Sequence, residues 1–223
     1  TYSYSGVTLP LVGTLYDGGY IFYIDSLTGI GFIATDNYIG TAEWGCYGAV
    51  VNGADGQVIG TGFQNTLDII NTGCTSNNGN PTAASIAYNY NNGFSDWYLP
   101  SLDELSLVYQ NLQSTGILNY NTGDPNNWYW ASTECQSNQA GSAADVHFTN
   151  GTINYCNNKN SGQGGVIAIR SFQVPVLNTI NGCDSIAILN LTINQGDTSY
   201  TSITACDSVV WNGTTYDSSG TYS

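Results

Sequence analysis

Directly after Pro100 the chain reads SLDELSLVYQNL (101–112), the one stretch whose periodicity admits a single secondary structure. Leu102, Leu105, Val108, Tyr109 and Leu112 recur three and four residues apart, which puts them on one face of a helix. Ser101 followed three residues later by Glu104 is a capping-box signature at its start, with Asp103 and Glu104 complementing the helix dipole. Loss of the Glu104 half of that cap is expected to cost about 1 kcal/mol. QNTLDIINTG (64–73) and PTAASIAYNY (81–90) predict two more short helices, the second opened by Pro81. The remaining apolar runs before residue 173 have strand length. GGYIFYID (18–25) and GIGFIATD (29–36), separated by SLTG, predict a hairpin. NWYWASTE (127–134), AADVHFTNGTINYC (143–156) and GGVIAIRSF (164–172) predict strands, with a tight turn at Asn150 and Gly151. Helices set among strands of this kind define an α+β domain.

The texture changes near residue 173. DSIAILNLTIN (184–194) alternates apolar and polar residues as a sheet strand does, with a slip near Leu189 and Asn190. GCDSIAIL (182–189) is echoed by ACDSVVWN (205–212) at a spacing of 23. A repeat element is therefore present. The expected organisation is residues 1–173 as one domain with an N-terminal strand, and residues 174–223 as a small all-β, antiparallel, sandwich-like module that is incomplete within one chain.

Charge narrows the partners. Lys159 and Arg170 are the only basic side chains facing sixteen carboxylates, and the formal net charge is -14. Such a surface repels nucleic acid and anionic lipid, and it offers no basic patch from which counterions would be released. Trypsin-like proteases find only these two sites. No run approaches the roughly 20 apolar residues that span a bilayer, which argues against membrane insertion, and residues 1–30 lack a signal-peptide pattern. The sequence reads as already processed, or as an excerpt of a longer one. Cys46, Cys74, Cys135, Cys156, Cys183 and Cys206 include no CxxC pair, and His147 is the only histidine, so disulfides in an extracellular or cell-surface setting are favoured over zinc. Cys135 and Cys156 fall at the outer ends of neighbouring strands, which leaves Cys46 for Cys74.

WGCYG (44–48), GTGFQNT (60–66), TAAS (82–85), GFSDWYLPSLDEL (93–105), YWASTE (129–134) and VIAIRSF (166–172) occur in this order. In them the chain resembles a bacterial family of extracellular domains related to the C-terminal domain of a collagen-like Legionella adhesin. The resemblance covers roughly residues 14–173 and implies a C-type-lectin-like fold, similar also to formylglycine-generating enzymes. The tail resembles a Cys-Asp-Ser β repeat found in tandem in very large secreted proteins of Bacteroidetes. Relative to that unit the halves stand in reverse order, the closing half (182–194) before the opening half (205–223).

Candidate groups each meet a plainer explanation. His147 lies on an expected strand between Val146 and Phe148, a position for a sheet histidine rather than a general base. Asp96, Asp103 and Glu104 flank WYLPSL, where capping and dipole complementation account for them. No enzymatic activity is expected. No cofactor is expected, although calcium remains a candidate: Asp124, Asn126 and Asn127 in GDPNNW offer oxygen ligands, against the simpler reading as a turn. Trp44, Trp97, Trp128 and Trp130 have stacking faces for a sugar, but the family resemblance implies strand positions for Trp97 and Trp130, where core packing is the simpler role. Asn150, Asn190 and Asn212 stand in Asn-x-Ser/Thr sequons, and Ser185 and Ser208 in Asp-Ser-apolar triplets, as candidate glycosylation sites.

The functional expectation is a non-enzymatic extracellular structural or adhesive protein, a subunit of a filament or tandem-repeat adhesin joined head to tail by β-strand complementation with other copies of itself. In that arrangement Cys206 bridges to Cys183 of the neighbour; the alternative is a fold-back with both in one chain. The competing expectation is a carbohydrate-binding lectin with glycans as partners.

Overall fold

The computed structural model of the chain describes residues 3–4, 7–8, 10–121, 127–162, 164–174, 208–211 and 214–216. Asp124, Asn126, Cys183, Ser185, Asn190, Cys206 and Asn212 lie outside the described residues, as does the strand expected over 184–194. In chain order the elements are β1 (Ser3–Tyr4), β2 (Val7–Thr8), β3 (Leu15–Tyr16), β4 (Gly19–Asp25), β5 (Ile30–Ala34), β6 (Gly40–Ala42), α1 (Gly62–Asn71), α2 (Ala83–Tyr88), α3 (Leu102–Val108), β7 (Trp128–Glu134), β8 (Ser142–His147), β9 (Thr152–Asn158), β10 (Gly164–Val166), β11 (Ile169–Gln173), β12 (Val209–Trp211) and β13 (Thr214–Tyr216). The described chain is thus rich in β-strand with few helices. Thr8–Val174 makes up the body of the larger of two compact units, and the described residues of Ser3–Val7 and Pro175–Ser223 fall in the smaller.

Two strands show why the larger unit has its architecture. Successive side chains of a strand point to opposite faces. In β4, Ile21 enters one apolar cluster and Phe22 the other; in β7, Trp128 and Trp130 enter the first and Tyr129 and Ala131 the second. Both strands are therefore covered on both faces, which explains why WYWASTE carries aromatic residues consecutively rather than alternately. β7 is central in a five-stranded sheet of order β6-β10-β7-β8-β9, parallel to β10 and antiparallel to β8. β4 is interior in a second sheet of order β11-β5-β4-β3, paired with β5 as the expected hairpin, with a register shift between Ile21 and Tyr23. In the smaller unit, β12 pairs antiparallel with β13.

The helix after Pro100 starts as its sequence requires. Ser101 Oγ accepts from Glu104 N at 3.4 Å, and Glu104 Oε2 accepts from Ser101 N at 2.7 Å. Leu102, Leu105, Val108 and Leu112 are all buried. The α geometry ends at Val108, however, and Tyr109–Gln113 widens into a π turn closed by Ser114 N donating to Tyr109 O at 2.8 Å. α2 is capped by Thr82, whose side chain accepts from Ser85 N at 3.2 Å, so its opening residue is Thr82 and not Pro81.

Three local expectations are corrected. GGVIAIRSF is two strands: β10 belongs to the five-stranded sheet and β11 to the four-stranded one, with fully buried Ile167 and Ala168 between them. A continuous apolar run fits a crossing between two sheets as well as it fits one buried strand. Trp97 lies on no named strand; it precedes an isolated bridge between Tyr98 and Ile169. Asp96 caps no helix, since its Oδ1 accepts from Arg170 Nε at 2.6 Å. Among the described residues no helix is long and apolar enough to cross a membrane.

Candidate functional site

Between β6 and α1 the chain runs from residue 43 to residue 61 without helix or strand. Connections of this length are uncommon in compact domains, and those that persist as ordered loops are usually binding loops or lids. The main chain of this loop is tied down from beneath at many points. Glu104 Oε1 accepts from Gly60 N at 2.9 Å, Glu134 Oε1 accepts from Val51 N at 2.9 Å, and Thr133 Oγ1 donates to Gly56 O at 2.8 Å. Asn65 Nδ2 donates to Gly56 O at 2.7 Å, Ser101 Oγ to Val58 O at 3.1 Å and Asp103 N to Gln57 O at 3.0 Å. A disulfide joins Cys46 to Cys74, with Cα atoms 5.0 Å apart. Another joins Cys135 to Cys156 at the same Cα separation.

The anchoring carboxylates are buried. Glu104 sits under the loop's end, and burial pushes its carboxyl up despite the N–H donors of Ser101 and Gly60 that favour the charged form. Its position requires a glycine at the start of α1: a Cβ on Gly62 would strike the Glu104 carboxylate and approach Ser101 N to 2.6 Å and Leu99 O to 2.9 Å. Glu43 reaches the neighbouring loop, where its Oε2 accepts from Asn77 N at 2.7 Å. Glu134 ends β7 and meets Lys159 Nζ, which also donates to Ala49 O at 3.1 Å and lies 4.4 Å over the Trp44 ring. Burial pushes Glu134 up and Lys159 down.

Above this frame the loop exposes Tyr47 (49%), Val50 (46%) and Val58 (61%), together with Asn52 and Asp55. Apolar and aromatic side chains displayed on a fixed main chain can make contact without a large ordering cost.

The residues singled out by sequence are dispersed. Trp44, Trp97 and Trp130 are fully buried, their indole N–H groups donating to Ala131 O (2.8 Å), Asn92 Oδ1 (3.1 Å) and Ala42 O (2.9 Å). Trp128 stands edge-on to Trp130 with centroids 4.8 Å apart. All four belong to the core. Asn127 has both ends of its amide engaged, Nδ2 donating to Tyr120 O at 2.6 Å and Oδ1 accepting from Tyr129 Oη at 2.9 Å. Asn150 is exposed and its Oδ1 accepts from Thr152 N at 2.9 Å. Ser208 is exposed. Asp103 lies in the first turn of α3. Among the described residues no three His, Cys, Asp or Glu side chains gather as a metal site.

His147 is partly exposed on β8, with Nε2 3.2 Å from Oδ1 of the fully buried Asp145. Asn154 Nδ2 donates to Asp145 Oδ2 at 3.2 Å, and burial raises the Asp145 carboxyl to about 7. Sequence reasoning passed over Asp145, Glu43, Glu134 and Lys159. The available signal was a charged residue inside or ending an apolar strand, as in YWASTE and AADVHF.

A β-rich, disulfide-bonded domain with a long braced loop defines the class. Residues 55–170 match the model of the Lcl C-terminal domain, just over half of the chain, and the chain belongs to that family. The matched span includes Glu104, Glu134, Asp145 and Lys159. No curated protein matches the sequence.

Proposed function

We propose that the chain is a non-enzymatic, extracellular adhesive protein whose larger unit makes contact through the loop of residues 43–61. The observation that carries this reading is the exposure of Tyr47, Val50 and Val58 on a main chain held by buried Glu104 and Glu134. Two further features support it. The disulfides Cys46–Cys74 and Cys135–Cys156 suit an oxidising exterior. The histidine and carboxylates that would do acid-base work face structural partners instead: Asp145 for His147, backbone N–H groups for Glu104 and Glu134. The reading takes the larger unit to be C-type-lectin-like and the tail to be a Cys-Asp-Ser β repeat, through which copies join head to tail by strand addition.

Immobilised extracellular-matrix proteins and a glycan array, probed with the chain and with a Tyr47→Ser, Val50→Ser, Val58→Ser variant, test the loop. Binding by the wild type that falls at least tenfold in the variant supports it; binding unchanged by the variant overturns the assignment to this loop. Exposed Tyr47 also favours the second reading, a carbohydrate-binding lectin, because a tyrosine face stacks on sugars. Signal confined to the glycan array selects that reading. Sedimentation of the full chain as large polymers, abolished by deleting residues 200–223, tests head-to-tail joining.

A further inference from the structure

Lys159 and Glu134 are buried together, and their polar groups do not balance as an ion pair. Glu134 Oε1 accepts both from Lys159 Nζ and from Val51 N, whereas Oε2 is buried with no hydrogen-bond partner. The ammonium carries three N–H groups, with Glu134 and Ala49 O as acceptors and the Trp44 ring beside it. A buried carboxylate oxygen without a donor costs its full desolvation.

We propose that Lys159 and Glu134 are joined by an intramolecular isopeptide bond between Nζ and Cδ, formed within the folded domain. The polar inventory then closes. One carbonyl oxygen remains and accepts the Val51 N–H; one amide N–H remains and faces Ala49 O; the orphaned oxygen is gone. The step is a condensation. A proton passes from the ammonium to the carboxylate, and the resulting neutral acid carries it on Oε2, the oxygen that no donor fills, so that Oε1 stays the carbonyl and Nζ becomes a neutral amine. The Nζ lone pair attacks Cδ, with the Val51 N–H holding the oxyanion on Oε1. Nζ loses a second proton to Oε2, the Cδ–Oε2 bond breaks, and water leaves. No oxidant, reductant or cofactor enters. Burial drives both groups toward the neutral forms that this chemistry uses. Fixing amine and acid in contact in a dry interior supplies the proximity that amide formation lacks in water.

The cross-link would run between the end of β7 and the residue after β9, directly beside the Cys135–Cys156 bridge, and would survive reduction. Its test needs only the full chain, folded, then denatured and reduced. Intact mass is expected one water below the value for the sequence, and chymotryptic mapping is expected to place that loss on a branched peptide carrying Glu134 and Lys159. Lys159 is the only lysine, so an amine-reactive reagent applied to the denatured chain should label the N-terminus alone. Lys159→Met restores the unreduced mass if it folds; the wild-type measurement decides without it. Full mass with Lys159 labelled, or a water loss mapped to any other peptide, would overturn the proposal.

Discussion

Asp145 should make the domain less stable as pH rises through neutrality. The carboxyl is fully buried, beside His147 on its own strand, Asn154 and Asn157 on β9, and opposite Trp130 on β7. Burial raises it from 3.8 to about 7. An acid whose folded value lies above its unfolded value is favoured in its neutral form by folding. Its stabilisation is therefore fully present below about pH 4 and is lost as pH climbs to and past about 7. A shift of roughly three units at about 1.4 kcal/mol each gives about 4 kcal/mol between those limits. Asp145→Asn keeps the shape and cannot ionise. Urea denaturation followed by tryptophan fluorescence, with disulfides intact, should show the wild type losing several kcal/mol relative to the variant between about pH 5 and 8. Above neutrality the variant should be the more stable of the two. Every other carboxyl is common to both proteins, so the difference isolates Asp145. Parallel stability curves across this range would refute the reasoning.

Glu104→Ala should cost about 2–4 kcal/mol in the same assay, above the roughly 1 kcal/mol of a cap, because Gly60 N and Ser101 N both lose their acceptor in a buried setting. Gly62→Ala should destabilise by about 3 kcal/mol or more, since its Cβ would collide with fixed backbone at Leu99 and Ser101. Trypsin should leave the folded chain intact over hours and cut after Arg170 once it is denatured, because the Arg170 main chain is paired with β5 and its side chain with Asp96; rapid cleavage of the native protein would count against this packing. Reducing the bridges of separation 28 and 21 should remove about 3 to 4 kcal/mol each on the chain-entropy estimate, read as a lowered urea midpoint.

The elements that could be read from sequence are those whose signals are local. The Ser101 to Glu104 capping box and the hairpin of β4 with β5 involve residues close in the chain, the first marked by helical spacing and the second by two apolar runs parted by SLTG. The braced loop could not be read this way, because its supports come from α3 and the end of β7, a long way along the sequence. Glu104 was legible as a cap yet not as the acceptor for Gly60, since no pattern in GTGFQNT announces a distant carboxylate. Lys159 follows the polar run NYCNN and reads as surface; only the three-dimensional meeting with Trp44, Ala49 and Glu134 buries it. The break in GGVIAIRSF was hidden for the opposite reason, that Val166, Ile167, Ala168 and Ile169 run apolar without interruption through the crossing.

Both basic residues of this chain are held internally. Lys159 lies against Trp44 and Glu134, and the Arg170 guanidinium sits 4.2 Å from the Phe94 ring with Asp96 at its edge. Side chains facing solvent thus offer one sign of charge only, so two copies approach each other against their own field. That field fades over about 10 Å in 0.1 M salt and reaches about three times farther at a tenth of that concentration. Contact between copies is therefore slowest in dilute buffer and quickens as salt is added, the reverse of partners steered together by opposite charges. The ionic strength of the surroundings acts as a throttle on how readily these molecules meet.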